Sequence, residues 1–155
     1  MIRWEQGRAE VDQFLADGRI IRVAPNRELA DNYLTQARAH LMAAPAIVGL
    51  DAPGAFSLAY DAARLGLSAV LVNQGLRARG QGAHAVLLEV VLAQLEPPRQ
   101  TEFREFTWMR RLRNDTQYPE ADRPVALVDD VSQAVAAVGA MVERAAILVD
   151  HMPPY

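Results

Sequence analysis

One apolar face runs along the last part of the chain for about six helical turns. Its residues recur at alternating intervals of three and four: Val128, Val131, Val135, Val138, Val142, Ala145 and Val149. These intervals place side chains on one face of an α-helix, whereas a strand would need intervals of two. A narrow seam of small side chains suits close packing between helices. The chain therefore needs other helices to cover this face.

Helical periodicity also dominates the residues before this seam. The predicted helices span residues 11–16, about 27–43, about 52–79, 83–95, 101–113 and a last helix that starts after residue 122. Asn26 and Asp51 are the expected N-caps of two of them, since both side chains accept hydrogen bonds from first-turn amides. Pro124 is expected in the first turn of the last helix. Residues 20–24 are the only stretch with strand character, and Pro25 ends it.

Long helices joined by short loops favour an all-α fold. We predict an antiparallel up-and-down bundle with a four-helix core and short additional helices. Residues 1–25 are expected to form an N-terminal extension with a short helix, and residues 26–155 the bundle domain. The chain has 155 residues, of which 51% are hydrophobic, and this is enough for one substantial core.

Composition excludes several kinds of site. The chain has no cysteine, which rules out disulfides and thiolate–metal centres. No His-Glu-x-x-His pattern and no glycine-rich phosphate loop is present, so we expect neither a metal nor a cofactor. The net charge of -3 argues against a protein that coats nucleic acid generally. The first residues lack the apolar run of a signal peptide, and no stretch reaches about 18 uninterrupted apolar residues, so a cytoplasmic protein without a membrane contact is expected.

Residues 110–114 carry three arginines and an asparagine. At about 100° per residue, Arg113 falls in the middle of the apolar stripe that Phe106 and Met109 define, rather than on the solvent side. A guanidinium keeps its proton, so a half-buried arginine needs a carboxylate, a group of carbonyls or a phosphate beside it. Arg113 is therefore the leading candidate for a functional residue.

Three short segments extend this observation. They are Ala59-Tyr60-Asp61-Ala62-Ala63-Arg64 in a central helix, the Gly75…Gly82-Ala83-His84 break, and Arg113-Asn114 followed by Tyr118-Pro119. With the long Ala/Val-rich final helix, they make the chain between about residues 26 and 150 resemble the HEPN superfamily. The resemblance implies a four-helix bundle that dimerises. It also implies a phosphate site of the kind found in the family's metal-independent ribonucleases.

The HEPN motif is an arginine, a polar residue, and a histidine after a gap of four to six residues. Carried onto this chain, the resemblance assigns catalytic positions to Arg113, Asn114 and Tyr118. Tyr118 stands where the family has histidine, and a phenol that titrates near 10 is a poor general base at neutral pH. Tyr can still donate a hydrogen bond to phosphate or stack on a base.

Three further residues are candidates for substrate binding. Arg110 and Arg111 would widen a basic groove, and His84 would supply the missing imidazole if the fold brings it close. Each has a structural alternative. Arg110 and Arg111 are also explained as surface charges, and His84 as a core histidine beside Leu87. The motif residues have alternatives as well: Arg113 and Asn114 as caps of a helix C-terminus or as part of a salt-bridge cluster with Asp115, and Tyr118-Pro119 as a turn.

Two classes of function fit these residues. The first is an RNA- or nucleotide-phosphate-binding protein, with metal-independent RNA cleavage left open, of the kind that serves as the toxin of a bacterial toxin–antitoxin or defence system. The resemblance implies a homodimer and a nucleotidyltransferase antitoxin as partner. The second is a non-catalytic helical adaptor that binds a protein, with the valine seam or its neighbours as the interface.

Overall fold

A computed structural model describes residues 3–122 and 125–155. Within these residues the chain is mostly helical, with one two-stranded sheet. The elements in chain order are α1 (Arg8–Ala16), β1 (Ile20–Arg22), α2 (Arg27–Ile47), α3 (Ala52–Gln74), β2 (Leu76–Ala78), α4 (Ala83–Leu95), α5 (Thr101–Arg104), α6 (Phe106–Gln117) and α7 (Val128–His151). The predicted all-α class is confirmed.

The predicted N-caps of α2 and α3 are confirmed. Asn26 Oδ1 accepts a hydrogen bond from the Leu29 amide at 2.8 Å, and Asp51 Oδ1 accepts one from the Gly54 amide at the same distance. Each carboxamide or carboxylate satisfies a first-turn donor that the helix itself leaves free. Residues 48–51 are too few to do more than reverse the chain, so α2 and α3 pack antiparallel.

The prediction that the central helix continues to residue 79 is wrong. Gly75 adopts a left-handed conformation (φ 80°) and its amide bonds back to the carbonyls of Leu71 and Val72, which ends α3. The next residues form β2, which pairs antiparallel with β1 in the register Ile20–Ala78. Ile20 is buried, so the strand character of residues 20–24 does correspond to a strand.

The predicted single helix over residues 101–113 is two helices. The two helices are divided at Glu105, whose carboxylate accepts a hydrogen bond from Trp108 Nε1 at 2.7 Å. On the α5 side of this division, Arg104 Nε donates to Glu96 Oε1 at 2.7 Å. Since α6 continues to Gln117, Arg113 lies inside a helix rather than at its end.

The last helix begins later than predicted. It starts at Val128, where Asp130 Oδ2 accepts a hydrogen bond from the Leu127 amide at 2.8 Å. The expected role of Pro124 lies outside the described residues. The valine seam is confirmed as a buried face from Val131 onward. Its first residue, Val128, is 50% exposed, and Val135 is only partly buried, whereas the rest are buried: Val131, Val138, Val142, Ala145 and Val149.

Helix α3 occupies the centre of the bundle. It buries residues on all sides, including small ones such as Ala59, Ala63 and Gly66. Side-chain contacts show the direction of each neighbouring helix. Helix α6 runs antiparallel to α3, whereas α7 and α4 run parallel to it. Helices α2, α3, α6 and α7 therefore alternate in direction along the chain. Residues 75–82 return the chain along α3, so α4 packs against α3 as a further helix beside these four.

The N-terminal segment packs against α4 and the end of the chain. Trp4 Nε1 donates to the Gln94 carbonyl at 2.8 Å. Tyr155 Oη shares its single proton between two acceptors, the Arg8 carbonyl at 3.0 Å and Asp12 Oδ1 at 2.7 Å. These bonds join α1 to both α4 and the C-terminal residues.

By length and composition alone, α3 and α7 are each apolar enough to cross a membrane, although neither has an uninterrupted apolar run. The most apolar stretch of α3 is 67% buried inside the bundle, and that of α7 is 39% buried. A helix that packs on several sides acquires such a composition within a folded core.

Gly75 and Gly80 offer a matched test of the turn that follows α3. Both have φ near 80°, but an added Cβ at Gly75 would lie 2.8 Å from the Val23 carbonyl oxygen, whereas one at Gly80 would meet nothing within 4 Å. We expect Gly80→Ala to cost about 1 kcal/mol, from the left-handed backbone alone. Gly75→Ala should cost about 3 kcal/mol or more, because a clash adds to it. Chemical denaturation measures both, and equal losses would contradict this packing.

Candidate functional site

A buried tyrosine and a histidine form the centre of the site. Tyr60 lies in the middle of α3, and His84 is the second residue of α4. Tyr60 Oη and His84 Nδ1 are 2.8 Å apart. The tyrosine ring stacks on Phe106 at 5.1 Å between centroids and is only 2% exposed. Packing on α6 therefore fixes the hydroxyl, and the hydroxyl fixes the imidazole.

Both groups are neutral at pH 7. Burial raises the pKa of Tyr60 to about 12, although the charges of Arg113 and Arg110 oppose the rise. Burial, followed by the charges of Arg64 and Arg113, lowers the pKa of His84 below its ordinary value of 6.5. The described residues offer the Tyr60 hydroxyl no other acceptor, so we assign it as the donor to Nδ1. His84 then carries its proton on Nε2, as a hydrogen-bond donor.

Two arginines of α6 reach this pair without a carboxylate partner. The Arg113 guanidinium carbon lies 5.4 Å from the centre of the Tyr60 ring, within the range of a cation–π contact. Arg110 lies one turn earlier on the same helix. Among residues 3–122 and 125–155, no carboxylate approaches either guanidinium within 4.0 Å. The inward orientation of Arg113 predicted from the helical periodicity is confirmed, since the residue is only partly exposed.

A third arginine on α3 is neutralised. Arg64 Nη2 lies 2.6 Å from Asp61 Oδ1, and His40 Nε2 lies 3.3 Å from the other oxygen of this carboxylate. Asp61 and Arg64 pair with each other, as their spacing suggests. Three guanidiniums and one carboxylate leave an excess of two positive charges beside neutral His84.

His84 forms a wall of three neighbouring clefts. The first, of about 310 Å³, also contains Tyr60, Arg64 and Arg113; we call it the Arg113 cleft. The second, of about 300 Å³, contains Arg110, Asn114 and the first turn of α4; we call it the Arg110 cleft. Gly82 provides no side-chain cap for α4. The amides of the first turn therefore add to the positive potential of the Arg110 cleft.

The structure separates the residues predicted for the site. Arg113, Arg110, Asn114 and His84 come together around the two clefts. Tyr118 follows the end of α6, is 69% exposed and lines neither cleft, and Arg111 is exposed on another side of α6. The roles of Tyr118 and Arg111 stay predictions.

Sequence reasoning did not assign Tyr60 to the site. Its place on the apolar face of a central helix indicates a packing residue, and it does pack. Its hydroxyl gains a role only because the start of α4 lies beside it. Among the described residues, no group of three or more His, Asp or Glu side chains is arranged to hold a metal ion.

Comparison of this chain with models of protein families, with characterised proteins and with solved structures gives no match. The geometry of these clefts and the motif residues are therefore the basis for any functional assignment.

The charge of Arg113 should be measurable at His84. We expect the His84 pKa to lie below 6.5 and to rise in Arg113→Ala, because one of the charges that oppose protonation is gone. Arg111→Ala, which removes an exposed charge from the same helix, should leave the His84 pKa unchanged. Two-dimensional NMR of the imidazole signals during a pH titration measures this pKa.

The same shift sets a pH dependence of stability. Because the folded state holds His84 with a lowered pKa, the unfolded state binds more protons as pH falls through 6.5. The contribution of His84 to stability is therefore full above pH 6.5 and declines below it. A His84 pKa at or above 6.5 would contradict the buried, positively charged surroundings described here.

Proposed function

We propose that this protein binds the phosphate of RNA or of a nucleotide between Arg110, Arg113 and His84. The observation that carries the proposal is the pair of half-buried guanidiniums that have no carboxylate partner among the described residues and that flank a neutral imidazole. Guanidiniums match phosphate oxygens in geometry and charge and cannot lose their protons to escape burial. A phosphodiester at this position would compensate one of these charges, and a terminal phosphate monoester, with up to two negative charges, would compensate both.

The same arrangement supports metal-independent RNA cleavage as a further step. With its proton on Nε2, His84 donates to a phosphate oxygen. In the other tautomer, which forms when Nε2 releases its proton to water and Nδ1 takes one up from water, Nδ1–H donates to the Tyr60 oxygen. Nε2 then accepts the proton of a 2′-hydroxyl as its oxygen attacks the phosphorus, while the 5′-oxygen leaves and takes up a proton from water. The hydroxyl of Tyr60 serves both directions because it donates and accepts. His84 thus takes the part for which Tyr118 is poorly suited.

The wider biological assignment depends on the resemblance to HEPN domains. It supports a toxin or ribonuclease of a bacterial defence system, a homodimer in which two Arg113 sites face a shared cleft, and a nucleotidyltransferase antitoxin as partner. The location of the arginines on α6, before a long final helix, agrees with that pattern.

An adaptor that binds a protein is the second candidate, although the valine seam predicted as its interface is mostly buried inside the bundle. It is favoured by two large apolar side chains near the end of α2, Met42 and Leu50, which are 80% and 91% exposed. These residues are outside the clefts at His84. A double change to serine would weaken protein binding if this face is the interface, and it should not alter phosphate binding.

Binding of labelled RNA in EDTA tests the proposal. We expect Arg113→Ala to weaken binding by at least tenfold, since one charge-assisted contact is worth about 1.5–3 kcal/mol. Arg99→Ala, which removes an exposed charge outside the clefts, is the control and should bind nearly as the wild type does. His84→Gln, which keeps a polar side chain without an ionisable group, should abolish any cleavage while retaining most binding.

The pH dependence of the RNA affinity provides a second test of the proposed site. A phosphodiester keeps its single charge between pH 5.5 and 7.5, so a change in affinity over this range reports on the protein. We expect tighter binding at the lower pH, because the phosphate favours protonated His84, and a flat profile in His84→Gln. Equal affinity of wild type and Arg113→Ala, with both folded, would disprove the site.

A further inference from the structure

The third cleft at His84 has a different character from the other two. It encloses about 440 Å³ between α2, α3, β2 and the start of α4, and it shares Arg64 and His84 with the Arg113 cleft. We call it the base cleft. A volume of this size lies within the range of about 300–1,000 Å³ that is typical of small-molecule sites.

Apolar side chains form most of the walls of the base cleft. Leu71 and Leu76 belong to the buried core, and Leu29 and Leu87 close it from α2 and α4. Tyr33 adds an aromatic face from α2. A flat, mostly apolar group attached to something anionic fits such walls, with its anionic end at the junction with the arginines.

Polar atoms without assigned partners face this cleft from three sides. Among the described residues, no hydrogen bond involves the hydroxyls of Ser68 and Tyr33, which are open to the solvent that fills the cleft. Asn26 uses its Oδ1 to cap α2, which leaves its amide donors free. A purely aliphatic ligand would leave these groups unsatisfied, whereas the edge of a nucleobase carries both donors and acceptors.

We propose that the base cleft binds the nucleobase of the nucleotide whose phosphate lies at Arg113 and Arg110. The inference rests on the proposed function and gives its substrate class: a nucleotide, or an RNA with one base turned out of its stack. The base packs against the partly exposed apolar wall of Leu29, Val72 and the ring of Tyr33. Its edge meets Ser68, and the ribose lies at Arg64 and His84. Unstacked bases are the usual targets of proteins that read single-stranded RNA.

Calorimetric titration of the full chain compares ligands that carry different parts of a nucleotide. The probes are AMP, GMP, CMP and UMP, ribose 5-phosphate without a base, and adenosine and uridine without a phosphate. We expect at least one mononucleotide to bind tenfold or more tightly than ribose 5-phosphate. Ser68→Leu should fill the cleft and reduce that mononucleotide to the affinity of ribose 5-phosphate, whose own binding should not change.

Two further variants separate this cleft from the phosphate site. Ser132→Leu, an exposed change of the same size on α7, is the control and should bind as the wild type does. Tyr33→Ala should also remove the preference for mononucleotides, and it replaces Ser68→Leu in the comparison if circular dichroism shows that variant to be unfolded. Arg113→Ala should weaken ribose 5-phosphate and leave nucleoside binding unchanged.

The outcomes distinguish the two proposals. Equal affinity for mononucleotides and ribose 5-phosphate, lost in Arg113→Ala, would overturn the base cleft and leave the phosphate site standing. Nucleoside binding that Ser68→Leu removes, with no gain from a phosphate, would support the base cleft and overturn the proposed function. A folded protein that binds none of the probes would overturn both.

Discussion

Burial of α3 on all its sides is the constraint on which the rest of this structure depends. A helix with buried residues all round is stable only when other elements cover each face, and here α2, α7, α4 and α6 do so. Polar groups on such a helix are held rigidly. Tyr60, Asp61 and Arg64 are therefore placed by the core itself, and the site is an extension of the packing rather than an addition to the surface.

The helix caps and the bounds of α4 could be predicted from the sequence because they depend on short-range interactions. The caps at Asn26 and Asp51 and the whole of α4 depend on residues that are neighbours in the chain, and the structure confirms them. Residues 76–78 read as helix in isolation but form β2, because pairing with β1 outweighs their propensity once Gly75 has turned the chain. The division between α5 and α6 at Glu105 likewise has no signal in the local sequence.

The site was predictable only in part, for a related reason. The periodicity of α6 shows that Arg113 turns inward, and this needs no knowledge of the fold. The contact between Tyr60 and His84 spans 24 residues, and it exists because the return segment after α3 starts α4 beside the middle of α3 rather than at its end. No spacing rule links these two residues. Tyr118 attracts attention in the sequence because it occupies a motif position, yet the chain places it in solvent.

His84 belongs to three clefts at once, and this has a thermodynamic consequence. A group that binds in one cleft changes the protonation and orientation of an imidazole that also faces the other two. Occupation of the clefts is therefore linked through a single proton and a single rotamer, and such linkage is reciprocal: whatever one ligand does to the affinity for another, the second does equally to the first. If ligands bind as proposed, the state of His84 would be the variable that their binding in the three clefts has in common.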